Sequence, residues 1–415
     1  MKRLWRHIVA AGLLAPAGHS VAQGAAPVGN NSAFAAGVPV AKSGVYRNLF
    51  QEIGKTDKEI EAKIQTAING FFAGGDSIRC YYPVGADEAY ILDSGNNDVR
   101  SEGMSYGMMI AVQAGMKPEF DHLWNFARRH MRHTDGDRQG YFAWRVSTQG
   151  TVIDRESASD GEEYFAMSLF FAWKRWGDAS YKAAADDILH HMLHQDRYVA
   201  PGSDITRMID PGTRQIVFVP RGDSAHFTDP SYHLPAFYEL FARWANVEGE
   251  CWREVAKASR AYFKTAAHPK TGLFPDYSLF DGTPTDPWKG GHAQFQFDAW
   301  RVIQNVVVDQ YWFGVSPWAV EEADRLQTFF ASQGIDTHGY LFTLEGKALI
   351  TDHGPGLAGM NAVASLISTN PRAMDFVRHL WAVEPARGQF RYYDNCLYLF
   401  AMLHCSGRYR MIGVE

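Results

Sequence analysis

The chain has 415 residues, 46% of them hydrophobic and 21% charged, with a formal net charge of -6. That is globular composition, with enough chain for a large core or two domains, and its interspersed charges form no basic field of the kind that binds nucleic acid. Aromatic residues reach 14%, which suits a large core and equally a protein that stacks rings on a flat, hydroxyl-covered ligand such as a sugar.

Lys2, Arg3 and Arg6 precede an apolar stretch from Ile8 to Ala15, and Ser20-Val21-Ala22 offers a small-residue cleavage site. This is the pattern of an export signal over 1–22. The mature chain is therefore expected to be exported, to the periplasm or beyond. No later apolar run reaches the roughly 18 residues of a membrane span. Residues 23–45 lack periodicity and read as a linker or disordered N-terminus, and 46–415 as a single domain. Cys80, Cys251, Cys396 and Cys405 form no C-x-x-C pair, so they read as buried thiols and not as a zinc or redox site.

Residues 57–72 place Ile60, Ile64, Ala67, Ile68 and Phe71 at spacings of three and four, which predicts an amphipathic helix. Residues 81–93 read as extended. Helical patterns then recur over about 103–116, 118–133, 161–176, 180–194, 231–247, 249–266, 296–312, 317–333, 356–368, 371–382 and 391–406. With the first they make about twelve, mostly in pairs, joined by long loops at 134–160, 197–230, 268–295 and 334–355. Such a chain either stacks as a solenoid or closes into an α/α toroid. No fixed sequence period repeats, which argues against the solenoid. Short strand-like pieces at 140–146, 215–219 and 339–343 are expected as hairpins on the loops.

Four stretches put an acid and an aromatic where a loop turns into an apolar helix. The first is Ser101-Glu102-Gly103-Met104-Ser105-Tyr106-Gly107, in which Ser101 or Ser105 is a candidate N-cap and Glu102 stands in the first turn, where the dipole favours an acid. The others are Ser159-Asp160-Gly161-Glu162-Glu163-Tyr164, Thr228-Asp229-Pro230-Ser231-Tyr232-His233 and Phe297-Asp298-Ala299-Trp300-Arg301. Each alone reads as a cap or a buried ion pair. If every second helix starts on the same face of a toroid, the acids converge. Converged carboxylates are what glycoside hydrolysis requires: one protonated, to donate to the leaving oxygen, and one ionised, to activate water or attack the sugar. Trp144, Tyr232, Trp300 and Tyr392 are candidates to stack on pyranose faces. There is no H-E-x-x-H, G-x-S-x-G or P-loop.

S-E-G-M-S-Y-G-M-M, S-D-G-E-E-Y-F-A and F-D-A-W-R-V resemble the active-site stretches of glycoside hydrolase family 8. G-Y-F-A-W (140–144), D-P-S-Y-H-L-P (229–235), H-P-K-T-G-L (268–273) and R-Y-Y-D-N-C-L-Y-L-F (391–400) resemble its branch of reducing-end xylose-releasing exo-oligoxylanases. The likeness runs from about Tyr46 to about residue 410. It implies an all-α (α/α)6 barrel, an inverting mechanism, a xylo-oligosaccharide partner, and no metal or organic cofactor. Residue by residue it makes Glu102 the general acid and Asp298 the general base. Asp160 would bind the sugar at the cleaved position, Tyr232 would hold the nucleophilic water, and His353 would meet the reducing-end hydroxyl. Trp144 and Arg301 would contact sugar and orient the base. The branch places proline directly after this histidine, whereas here Gly354 intervenes. The chain is expected to act as a monomer. Competing readings are an endo-acting β-1,4-glycanase of the same family, a non-catalytic sugar-binding envelope protein, and an α/α-toroid polysaccharide lyase. The lyase would need a Tyr or His base and basic residues around a uronate, and the clustered acids oppose that.

Overall fold

A computed structural model describes residues 38–246 and 248–414. The expected export signal and the linker as far as residue 37 lie outside the described residues. Among the described residues, twelve helices of more than two turns follow one another, each close to its predicted position. They are α1 (Asp57–Ala73), α2 (Ser101–Ala114), α3 (Lys117–Phe126), α4 (Ser159–Trp176), α5 (Ala179–His194), α6 (Pro235–Trp244), α7 (Gly249–Ala266), α8 (Val302–Phe313), α9 (Trp318–Gln333), α10 (Pro355–Val363), α11 (Ala373–Ala382) and α12 (Arg391–Cys405).

The even-numbered helices form a closed inner ring, in which α2 packs on α4, and so on round to α12, which packs back on α2. The odd-numbered helices pack outside it. This is the (α/α)6 barrel. The division shows in the burial. α2 buries every residue except Glu102 and Ala114, as a helix enclosed on all sides must. α7 buries only a stripe, Trp252, Val255, Ala256, Ser259, Tyr262, Phe263 and Ala266. Tyr106, Tyr164 and Phe400, from the neighbouring inner helices α2, α4 and α12, meet inside the ring with centroids 4.7 to 5.9 Å apart. These aromatics fill its middle and leave the helix N-termini as the open end. The ends of the chain also meet: the Met411 N–H donates to the Tyr46 hydroxyl at 2.8 Å.

Several details differ from expectation. Residues 38–45, assigned to the linker, include a one-turn helix (Val40–Ser43) whose Val40 is buried. The extended stretch at 81–93 is a hairpin, β1 (Tyr81–Val84) and β2 (Glu88–Asp93). It continues through β3 (Asp98–Arg100), β4 (Arg145–Val146) and β5 (Val152–Asp154) as one antiparallel sheet. The 339–343 piece forms a hairpin, β6 (Leu341–Phe342) with β7 (Ala348–Ile350), but 215–219 contributes only an isolated bridge at Ile216. The Cys80, Cys396 and Cys405 thiols are buried, whereas Cys251 is half-buried; all four are free. No helix among the described residues is long and apolar enough to cross a membrane.

Candidate active site

Because alternate helices run the same way, the four acid-bearing junctions open on one end of the ring. Neither serine caps α2. Its first N–H, that of Ser101, donates instead to the Trp144 carbonyl (2.9 Å), while the Ser105 hydroxyl donates back to the Glu102 carbonyl (2.9 Å). β3 feeds straight into the helix, so the Trp144 backbone just ahead of β4 does the work of a cap. Tyr232 and Asp298 lie on 3-10 turns, Pro230–Tyr232 and Phe297–Arg301, ahead of their helices. At α6 the reason is Pro235, which is tolerated only in a helix's first turn.

Arg301 organises the site. It is 3% exposed. Nη1 donates to Glu102 Oε2 (3.0 Å), and Nη2 lies 3.1 Å from Asp160 Oδ2 and 3.2 Å from Asp298 Oδ1. Nε donates to the Ser231 hydroxyl (2.9 Å), and the guanidinium sits over the rings of Tyr106 and Tyr232. One buried cation thus gathers the acids of α2, α4 and the turn before α8, and draws in the Tyr232 turn through its neighbour Ser231. A fixed fork of donors suits this in a way a lysine would not.

Each acid has a second constraint. The Tyr392 hydroxyl donates to Glu102 Oε1 (2.8 Å) and the Tyr393 hydroxyl to Asp298 Oδ1 (3.3 Å). Tyr392 comes so close to α2 that a Cβ at Gly103 would lie 2.5 Å from its ring; only glycine fits there. Tyr392 is buried and orients the acid, and Trp300 is buried with its indole N–H donated to the Tyr340 carbonyl (2.9 Å), so neither is the stacking platform expected of it. Trp144 is half-buried, its ring flanked by Arg100 and Arg145 at 5.3 and 5.9 Å. Tyr232 stacks on Phe218 (5.5 Å), and its hydroxyl has no partner among the described residues.

Two further carboxylates, Asp229 and Asp276, lie beneath Asp298, with oxygens of all three within 4.8 Å of one another. Burial, then Asp276 and Glu102, push the Asp298 carboxyl well above its ordinary range. Burial, then Glu102 and Asp298, do the same to Asp160, and burial, then Asp298 and Asp276, to Asp229. So many acids in one low-dielectric site cannot all ionise, and they hold protons in common. The triplet has the compass of a cation site, but both Asp276 oxygens already accept N–H donors. Asp160 Oδ1 is a buried acceptor with no partner.

His353 stands apart from the acids. It is partly buried among histidines, with Nδ1 2.8 Å from the His338 carbonyl and Nε2 2.8 Å from His379 Nε2. Its loop is tied to the segment that carries Asp298, since Phe342 and Phe295 exchange two backbone hydrogen bonds of 3.0 Å. Gly354, the residue that separates His353 from Pro355, faces Asp394, and a Cβ there would meet Asp394 Oδ1 at 2.9 Å.

A ring of six paired helices with acids on opposing junctions of its open end defines a class of glycoside hydrolase. The model of glycosyl hydrolases family 8 matches residues 87–407, and the chain belongs to that family. The reducing-end xylose-releasing exo-oligoxylanase Rex8A of Paenibacillus barcinonensis is 47% identical over 378 residues, covering 89% of this chain and 97% of the relative. The reducing end xylose-releasing exo-oligoxylanase of Halalkalibacterium halodurans is 43% identical over 375 residues, 88% of this chain and 94% of the relative. A structure of Rex8A complexed with xylose matches with a TM-score of 0.86 at 46% identity, covering 90% of this chain and 99% of that one.

Proposed function

We propose that this glycoside hydrolase is exported, acts as a monomer, and releases xylose from the reducing end of β-1,4-xylo-oligosaccharides with inversion. The observation that carries the chemistry is the single guanidinium of Arg301 between Glu102 and Asp298. It holds the two carboxyls on separate nitrogens, facing one space in which an inverting mechanism would seat the attacking water. Glu102, oriented by Tyr392 and Arg301, gives its proton to the leaving oxygen. Asp298 takes a proton from the attacking water, which the unpartnered Tyr232 hydroxyl helps to hold. Asp160 offers its unpaired Oδ1 to a sugar hydroxyl at the cleaved position. Release of a single sugar needs a wall beyond the cleaved bond, and the 334–355 loop, fastened beside Asp298, is the candidate. Digestion of xylotriose and its borohydride-reduced form side by side tests the reading. Xylose and xylobiose should come from the first while the second resists; equal cleavage of both would mean an endo-acting enzyme.

His353→Ala probes the wall itself. When neutral His353 donates Nδ1–H to the His338 carbonyl, Nε2 is an acceptor now used by His379, and a sugar hydroxyl would take over that position. The substitution should weaken xylotriose cleavage by about 1–3 kcal/mol, the scale of a buried polar partner left unpaired. It should also raise the relative rate on substrates with blocked reducing ends. A variant with unaltered preference would remove His353 from recognition.

A further inference from the structure

Asp276 lies in the loop between α7 and the 3-10 turn that carries Asp298, and is 1% exposed. Its Oδ1 accepts the backbone N–H groups of Asp298 (3.1 Å) and Ala299 (3.3 Å). Its Oδ2 meets His292 Nδ1 at 2.6 Å and accepts from Gln296 Nε2 at 3.3 Å. The turn it grips is strained: Phe297, directly before Asp298, has φ +25°, a region that bulky residues avoid. Such a conformation persists only where its surroundings over-determine it. Asp276 holds the turn by its N–H groups, and the Tyr393 hydroxyl holds it by the Phe297 carbonyl (3.1 Å).

We propose that Asp276 is a positioning residue for hydrolysis: with His292 behind it, it fixes the strained turn that presents Asp298 and sets its own carboxyl against that of Asp298. This rests on the reading of Asp298 as the general base. A neutral acceptor would satisfy the two backbone N–H groups equally well. The short contact to His292 and the closeness of the Asp298 carboxyl are what give the charge its consequence. Asp298 also faces Glu102 from α2, Asp160 from α4, Asp229 ahead of α6, Tyr393 from α12, and the cations Arg301 and Arg100. Burial and Asp276 stand first among the influences that raise its proton affinity.

Asp276→Asn keeps the Oδ1 acceptor and removes the charge. On xylotriose, kcat should fall, because a base of lower proton affinity draws the proton from water less well, with KM little changed. The acid limb of the kcat profile should move to lower pH, because a carboxyl relieved of an anionic neighbour ionises more easily. An acid limb that stays in place, or a rise in KM at unchanged kcat, overturns the proposal. His292→Ala acts from the more exposed side of the same contact and decides the matter if the first variant does not fold: a lower kcat at constant KM supports the proposal, and an unaltered kcat overturns it. Asp298→Ala serves as reference. If that variant keeps its activity, the assignment of the base fails, separately from any result at Asp276.

Discussion

Glu102→Ala should lose activity on xylo-oligosaccharides by about 10²–10⁴-fold, the usual contribution of a general acid, with the fold kept. The fold survives because Arg301 retains Asp160, Asp298 and Ser231 as partners and because Glu102 is the one residue of the first turn of α2 that is not buried. Loss on a glycosyl fluoride should be much smaller, since fluoride leaves without protonation. Equal losses on oligosaccharide and fluoride would refute the acid role.

Asp298→Asn should be inactive on every glycoside, fluoride included, because water must be activated whatever the leaving group. In the wild type, activity should fall on the acid side as Asp298 takes up its proton. Burial and its carboxylate neighbours raise that pKa, so the limb should lie above the ordinary carboxylate range, near 4. NMR of the first sugar formed from a β-linked oligosaccharide should show the α anomer. A β product would instead make Asp298 part of a retaining site and end the inverting assignment.

The helices were legible because each outer helix carries an apolar stripe and the inner ones are apolar over much of their length, and both survive in sequence as period and length. Convergence of the acids followed from one topological idea, that alternate helices share a direction. Other features were legible only in part. Residues 81–93 read as extended and 140–146 as strand-like, but the strands have two to six residues, too short for alternation to show how they join into one sheet, and β3 and β4 pair across all of α2 and α3. Asp276 precedes no apolar helix; its signal was only an acid in Phe274-Pro275-Asp276-Tyr277, and its role depends on backbone N–H groups that no pattern reveals. Tyr392 looked like a stacking ring because sequence shows residue type and not which end of the ring faces the acid. Its proximity to Gly103 gives the Gly of S-E-G a reason after the fact.

A ring drawn from one chain is continuous everywhere but at a single seam, where the segment of Tyr46 is stitched to that of Met411. Glu102 straddles that seam: it comes from the first inner helix and the hydroxyl that steadies it from the last, 290 positions away in the chain. Asp298, Arg301 and Asp276 lie within one stretch on the far side. Loosening of the chain ends would therefore take from Glu102 both its helix and its tyrosine, but from Asp298 only the Tyr393 hydroxyl. Leaving groups that need a proton feel such fraying first, and those that do not report it last.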